Sequence, residues 1–415
     1  MANLVLKPST GAGNSVIIKD QGGGAVLTTA DSGAEINNVT SITASGNLTI
    51  VGDLVPATPM SHRNVWINGA MQISQRYGTS VHTPTHPNYG LDRYKIHYSG
   101  GPVYSSQQVT DVPAGKGFTH SAKYTVTTAD ATATSTDQAY VKTSIEGYDW
   151  ARFCYGTASA KTTTLSFYVK SSVAGVYSMA YKNASVNRSY SQVYTISSAN
   201  TWERISITIP GDTSGTWATD NTIGCSISFD LGSGTGRYQT AGSWGTGNID
   251  GATSAGADTW INTNGATFYI TGIQLEEGSS ATPFEHRSYG DELIRCQRYL
   301  ISSFADGVTP GGTSPASLKH HYVSVYPYNS GNFAGIITEF PVRLRSGSPT
   351  ITFWTGNAST DATSGRVAYF DGSWSNNNGL SVDTGQSGAE NFNLGGTINS
   401  STRLIQFNYL ADAEL

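Results

Sequence analysis

The sequence predicts an all-β chain made of an N-terminal short-strand attachment segment, a jelly-roll β-sandwich, a short helical junction and a C-terminal β-sandwich. Three observations carry that expectation. Ser and Thr number 50 each and Gly 47, over a third of the 415 residues, which favours strands joined by tight turns. Charged residues are only 13%, against about 25% in ordinary domains, so hydroxyls and amides carry the polarity. Short apolar runs recur between Gly-rich turns through most of the chain, and a helical period surfaces once.

Residues 1–52 contain no aromatic side chain; the first is Trp66. Aliphatic runs at 4–6, 16–18, 25–27, 36–39 and 48–50 are separated by Gly, Ser, Asn and Asp, the pattern of short strands and turns. Side chains this small bury too little area in one copy to offset about 1–2 kcal/mol per residue of backbone ordering, so intertwining with identical copies is expected. Residues 53–63 carry Pro56 and Pro59 and read as an extended linker.

Residues 64–287 turn to aromatic-rich strands, expected at 65–67, 93–98, 122–126, 165–170, 177–181, 202–209, 223–229 and 268–275. Leu165, Phe167 and Val169 alternate with Ser166, Tyr168 and Lys170, as a half-buried strand requires. Many such strands without a helical period between them predict an antiparallel jelly roll. In 288–304, Ser288 and Asp291 have capping spacing and Leu293, Cys296, Leu300 and Ile301 recur at helical intervals, which predicts one short helix. Residues 305–415 read as a smaller β-sandwich, with strands at 322–326, 336–342, 350–354, 367–370 and 404–410.

Lys and Arg total 24 against 29 Asp and Glu, a net charge of −5; that balance lacks the cationic excess of a nucleic-acid binder. No apolar run nears the ~18 residues of a membrane span, and the start lacks a basic and then apolar export pattern. A soluble protein without a Sec-type signal and without membrane insertion is expected. Cys154, Cys225 and Cys296 are too few and too dispersed for a zinc cluster or disulfide framework; they read as buried thiols.

No G-x-S-x-G, H-E-x-x-H, C-x-x-C or P-loop motif occurs, so no catalytic residue is assigned. Glu276 and Glu277 are adjacent and would face opposite sides of a strand, whereas a glycosidase pair must flank one bond. His82 and His86 have helical i, i+4 spacing, but Pro84 and Pro87 oppose a helix; His320 and His321 would diverge on a strand. No metal site and no cofactor is expected, with structural Ca²⁺ at Asp250 and Asp258 the one candidate ion. Trp217, Trp244, Trp260, Trp374 and Tyr238 lie in Gly-, Ser-, Thr- and Asn-rich stretches outside alternating runs. Such rings suit stacking on neutral sugars, and equally suit plugging a sandwich end or a subunit interface. Trp244 and Trp260, flanked by Asn248, Asp250, Asp258 and Asn262, lead the glycan-binding candidates.

Three stretches together resemble a known family. ITGIQLEEGSSATPFEHRSYGDELIRCQRY (270–299) resembles a junction of many bacteriophage tail-fibre and appendage proteins, where it closes a carbohydrate-binding-module-like jelly roll. NVWINGAMQISQR (64–76) with DRY (92–94) resembles the opening of the same module. FPVRLR (340–345), SPT (348–350) and YLADAEL (409–415) resemble the C-terminal β domain, and residues 1–52 are similar in composition to the shaft or attachment region. The resemblance implies a homotrimeric virion fibre assembled in the host cytoplasm, docked to other virion proteins through residues 1–52 and attaching to a host cell-surface glycan without catalysis. It carries over no receptor-contact residue and does not decide tail from head, so a head decoration fibre on the capsid is the alternative. A polysaccharide depolymerase is the second alternative, although the short period of a long β-helix is not visible.

Overall fold

The computed structural model describes residues 17–19, 25–30, 33–36, 61–83, 88–132, 134–253, 258–304, 310, 321–324, 332–355, 367–370, 374–377, 380–382, 388–397 and 404–415. The chain divides into two units, residues 1–57 and 58–415. In the first, strands β1 (Ile17–Lys19), β2 (Ala25–Ala30) and β3 (Gly33–Ile36) form an antiparallel sheet in which Ile17 faces Thr28 and Leu27 faces Ile36. The expected strands at 4–6 and 48–50, and Pro56 and Pro59, lie outside the described residues.

The second unit begins with β4 (Asn88–Tyr89), β5 (Lys95–Ser99), β6 (Val103–Val109), β7 (Ser121–Thr128), β8 (Gln138–Glu146) and a one-turn helix α1 (Gly147–Trp150). It continues through β9 (Thr163–Ser171), β10 (Gly175–Lys182), β11 (Ser189–Ile196), β12 (Glu203–Ile209) and β13 (Ile223–Asp230). Three two-residue strands, β14 (Tyr238–Gln239), β15 (Trp244–Gly245) and β16 (Gly251–Ala252), then lead to α2 (Asp258–Ile261) and the long β17 (Thr267–Glu277). Two antiparallel sheets result, ordered β15-β11-β10-β13-β8-β5-β4 and β12-β9-β17-β7-β6. Met179, Phe229, Val141 and Ile96 from the first sheet pack against Leu165, Phe167, Phe268 and Ile270 from the second, all buried. This is the expected sandwich.

Helix α3 (Tyr289–Gln297) starts where the capping pattern placed it: the Ser288 hydroxyl accepts from Asp291 N at 3.2 Å. Glu292 and Cys296 face inward, and Cys296 joins Ile67, Ile73 and Tyr299 in a small core of its own. The C-terminal part comprises β18 (Leu300–Ser302), β19 (His321–Ser324), β20 (Asn332–Glu339), β21 (Thr350–Thr355), β22 (Val367–Phe370), β23 (Trp374–Asn377), β24 (Leu380–Val382), β25 (Asn391–Thr397) and β26 (Leu404–Asp412). β26 is its spine, pairing with β18, β19, β21 and β22, while β20, β25 and β24 form a second sheet. Phe353, Phe392, Leu394, Ile405 and Phe407 make the core between them.

One expected strand is absent. Residues 65–67 form no strand, because Asn side chains take over the backbone's hydrogen bonding. Asn64 Oδ1 accepts from Trp66 N at 2.9 Å and Leu275 N at 3.0 Å, and Asn68, at φ 58°, accepts from Ile73 N at 3.0 Å. Local side-chain bonds of this kind compete with a ladder. Conversely β6, β8 and β11 arise where no strand was expected; their Ser and Gln residues masked the alternation.

The two sandwiches of residues 58–415 meet through buried ions. Arg93, 2% exposed, donates to Glu414 and to the Ser144 carbonyl and lies 3.5 Å from the Tyr299 ring centroid. Arg76 donates to Asp412 Oδ2 at 2.8 Å and Glu414 Oε1 at 3.4 Å. Arg298 Nε and the Tyr299 hydroxyl both donate to Glu146 Oε2 at 2.8 Å, and Arg345 Nε donates to the Ala413 carbonyl at 2.8 Å. Burial pushes Asp92 up to about 6, with Arg76 opposing the shift. Removing one member of such a pair leaves a buried charge unmatched, so Glu414→Ala is expected to destabilise this unit by about 3 kcal/mol. Urea unfolding midpoints of the variant and the parent measure it.

Candidate functional site

β8 runs out of the sandwich into α1 and then a tight turn over Ala151–Phe153 that ends at Cys154 in the left-handed region, φ 56°. The loop between β12 and β13 lies against that turn. Gly147 lets the two backbones meet: it donates to the Thr222 carbonyl at 2.8 Å, and a Cβ there would stand 2.7 Å from the Ala218 and Asp220 carbonyl oxygens. Asp212 anchors the loop, accepting from Arg188 Nε at 2.9 Å and Nη2 at 2.6 Å and from Trp217 Nε1 at 3.3 Å.

An aromatic cluster fills this end of the jelly roll. Trp150 and Trp217 stack with centroids 5.7 Å apart, and Tyr155 and Trp244 meet Trp217 edge-on at 5.1 and 5.6 Å. Tyr190 supports Trp244 at 5.2 Å, and Trp244 Nε1 donates to the Pro210 carbonyl at 2.8 Å. Trp150, Tyr155 and Trp217 line a cleft of about 500 Å³ whose rim includes Thr157, Ser159, Thr219 and the free thiol of Cys154. Apolar ring surface beside hydroxyls is the combination that holds a sugar: rings cover C–H groups and hydroxyls meet hydroxyls.

The five sequence candidates therefore separate. Trp217 and Trp244 come together, joined by Trp150, Tyr155 and Tyr190, which sequence reasoning passed over because they sit at strand ends and turns with no stacking pattern of their own. Trp217 is 7% exposed and contributes to the cleft floor, while Trp244 is half-buried. Trp260 is a correction: at 0% exposure, with Tyr104 at 5.6 Å and Phe268 at 6.5 Å, it belongs to the core. Its polar flanks concealed that α2 turns the ring inward. Tyr238 lies half-buried on the segment carrying β14, its hydroxyl donating to Asp230 Oδ2 at 3.1 Å. Trp374 opens β23 opposite Phe370, and its side chain lies outside the described residues.

The outer face of the seven-stranded sheet is partly covered by the segment from β14 to β16. Asp250, fully buried, accepts from Lys182, and Lys182 Nζ also donates to Asn248 Oδ1 at 3.1 Å. That ion pair occupies the carboxylate considered for Ca²⁺; the side chain of Asp258 lies outside the described residues. Asp230 accepts from Ser233 N at 2.9 Å, yet burial pushes it up to about 7, with Asp250 adding to the rise. His82 stacks on Tyr77 at 3.6 Å, and His86 and His320 are outside the described residues. Glu276 accepts from Thr282 N at 2.8 Å and its hydroxyl at 2.7 Å, and Glu277 from Lys161 at 2.9 Å.

No protein-family model and no curated protein matches the chain. Among solved structures it is similar to the enzymatically active domain of tailspike protein 4 of bacteriophage CBA120, at 13% identity and TM-score 0.29, over 52% of this chain and 21% of that one. It is also similar to a family 11 carbohydrate-binding module of a Clostridium thermocellum cellulosomal cellulase, at 18% identity and TM-score 0.24, over 50% and 99% of the two chains. A xylan-binding domain from Paenibacillus barcinonensis matches at 8% identity and TM-score 0.22, over 50% and 99%.

Two outcomes are expected from this geometry. Because the folded state holds the Asp230 proton up to about pH 7 and an unfolded chain releases it near pH 4, that group's contribution to stability falls as pH rises from about 4 to 7. Asp230→Asn should flatten the decline and raise the melting temperature at pH 8 by a few degrees, read by calorimetry from pH 4 to 8. Trp260→Ala should cost about 3–5 kcal/mol as a core truncation, whereas Trp244→Ala should cost clearly less, both read by denaturant unfolding.

Proposed function

We propose that the chain is a bacteriophage virion fibre protein that attaches the particle to a host cell-surface glycan and performs no covalent chemistry on it. The observation that carries the binding part is the cleft lined by Trp150, Tyr155 and Trp217, where ring surface and hydroxyls share about 500 Å³, with Trp244 packed edge-on against Trp217. The fibre part rests on the resemblance of 64–76, 270–299 and 409–415 to the fibre family, and these stretches meet around α3 and the C-terminal residues. Absence of catalysis is supported by Glu276 and Glu277, whose carboxylates each brace a neighbouring segment. In this reading the fibre is a homotrimer located on the virion, docked through residues 1–52, and uses no cofactor. Several copies on one particle convert weak contacts into firm attachment through effective concentration.

The purified protein is expected to be retained on host envelope glycans without releasing reducing ends, and to scatter light as a trimer. Trp244→Ala should weaken retention by about 1–3 kcal/mol per site while the melting temperature holds within a few degrees. Release of reducing ends would replace this reading with the depolymerase, and immunogold labelling of intact particles at the capsid instead of the tail would make it a head fibre.

A further inference from the structure

The register of the seven-stranded sheet places two lysines face to face. Lys95 on β5 stands directly opposite Lys142 on β8, and Lys142 in turn faces Ser228 on β13. Their side chains lie on the outer face, because Val141 and Ile145 of the same strand are in the core and Tyr140 lies 5.2 Å from Lys182 Nζ. Opposed residues in an antiparallel pair have Cβ atoms about 5 Å apart, and like charges in that position are destabilising. The cost needs a counter-charge, and the nearby acids are shared with other donors: Asp250 accepts from Lys182 and lies 3.9 Å from Arg237 Nε, and Asp230 accepts from Ser233 N and the Tyr238 hydroxyl.

The other cations on this face have partners. With its amide turned to donate to His97 Nδ1 at 2.8 Å, Gln138 accepts from Arg237 Nη2 at 2.6 Å. His97 stacks on Tyr140 at 4.7 Å, and Lys95 Nζ sits 5.5 Å from the Tyr89 ring centroid. Lys142 makes no hydrogen bond or ion pair among the described residues. It is only partly exposed, and burial together with Lys182 and Lys95 lowers its ammonium to about 8, against the opposing pull of Asp250. A chain of net charge −5 with only 13% charged residues thus concentrates unmatched positive charge between the β14–β16 segment and Tyr89.

We propose that Lys142, with Lys95 opposite it, forms a subsite for the anionic substituent of an acidic glycan, a sugar carboxylate or phosphate, on the outer face of the seven-stranded sheet. The subsite rests on the glycan-attachment reading above and names the class of glycan: the anion supplies the missing counter-charge.

The test measures retention of the full chain on polygalacturonate, which presents carboxylates, on phosphomannan, which presents phosphates, on dextran, which presents neither, and on host envelope glycans. Retention is expected on at least one acidic polymer and not on dextran, and whichever polymer binds identifies the anion. It should fall about tenfold in Lys142→Gln and in Lys95→Gln, as for the loss of a charge-assisted hydrogen bond, and should weaken as NaCl rises from about 50 to 300 mM. Lys123→Gln, on the other sheet, should leave retention unchanged. Lys142→Gln should melt no lower than the parent, because it removes an unmatched charge; a lower melting temperature with unchanged retention would make Lys142 structural and overturn the subsite. Retention of the parent on host glycans with none on either acidic polymer overturns the subsite alone. Absence of retention on all four overturns glycan attachment as well.

Discussion

The guanidinium of Arg93 is the joint of residues 58–415. It receives Glu414 from the end of β26, the Ser144 carbonyl from β8 and the Tyr299 ring from the end of α3, so one cation ties both sandwiches and the helix between them. Arg76, Arg298 and Arg345 repeat the arrangement around it. Buried pairs of this kind add little net stability over apolar replacements, but any docking that separates them strands a charge in a poorly solvating place. The consequence is orientation: other registers of the C-terminal sandwich against the jelly roll are penalised by several kcal/mol per unmatched ion.

Hydroxyl groups do inside this protein what apolar side chains do in most sandwiches. Ser166, Ser171, Ser178, Ser191, Thr163 and Thr164 are all buried in strands of the jelly roll. Several close short-range bonds, such as Ser144 Oγ to Ser226 Oγ at 2.9 Å and Tyr155 to Thr163 at 3.1 Å. A small hydroxyl can donate and accept without the desolvation penalty of a charge, so strands can be buried on both faces at low ionic content. The aromatic rings then fill the volume the small residues leave.

That division of labour shapes the surfaces available for binding. The cleft at the sandwich end is held by Asp212 and Arg188 and by close backbone approach at Gly147, so its walls are set before any ligand arrives and little ordering entropy remains to be lost. On the sheet face, the β14–β16 segment pairs Asp250 with Lys182, while Lys142 stands opposite Lys95. In the proposed reading, the rings in one place and the cation in another are different kinds of recognition element, one for sugar faces and one for charge.

Alternation and turn chemistry were legible in the sequence wherever large apolar residues marked one face: β9, β10, β12, β13 and β17 lie where period two placed them, and Ser288 caps α3 as its spacing required. β6 and β11 were not, since Ser-Ser-Gln-Gln and Tyr-Ser-Gln offer no apolar period until the second face is known to be buried. Composition and local pattern thus determined the all-β class, the place of the short helix α3 and the aromatic richness of 64–287. Which tryptophan would be buried was decided only by tertiary structure: Trp244 and Trp260 have similar Gly- and Asn-rich surroundings, and the docking of α2 against Tyr104 and Phe268 sends one into the core. The opposition of Lys95 and Lys142, 47 positions apart, depends likewise on strand order and register, long-range pairings that no local period encodes.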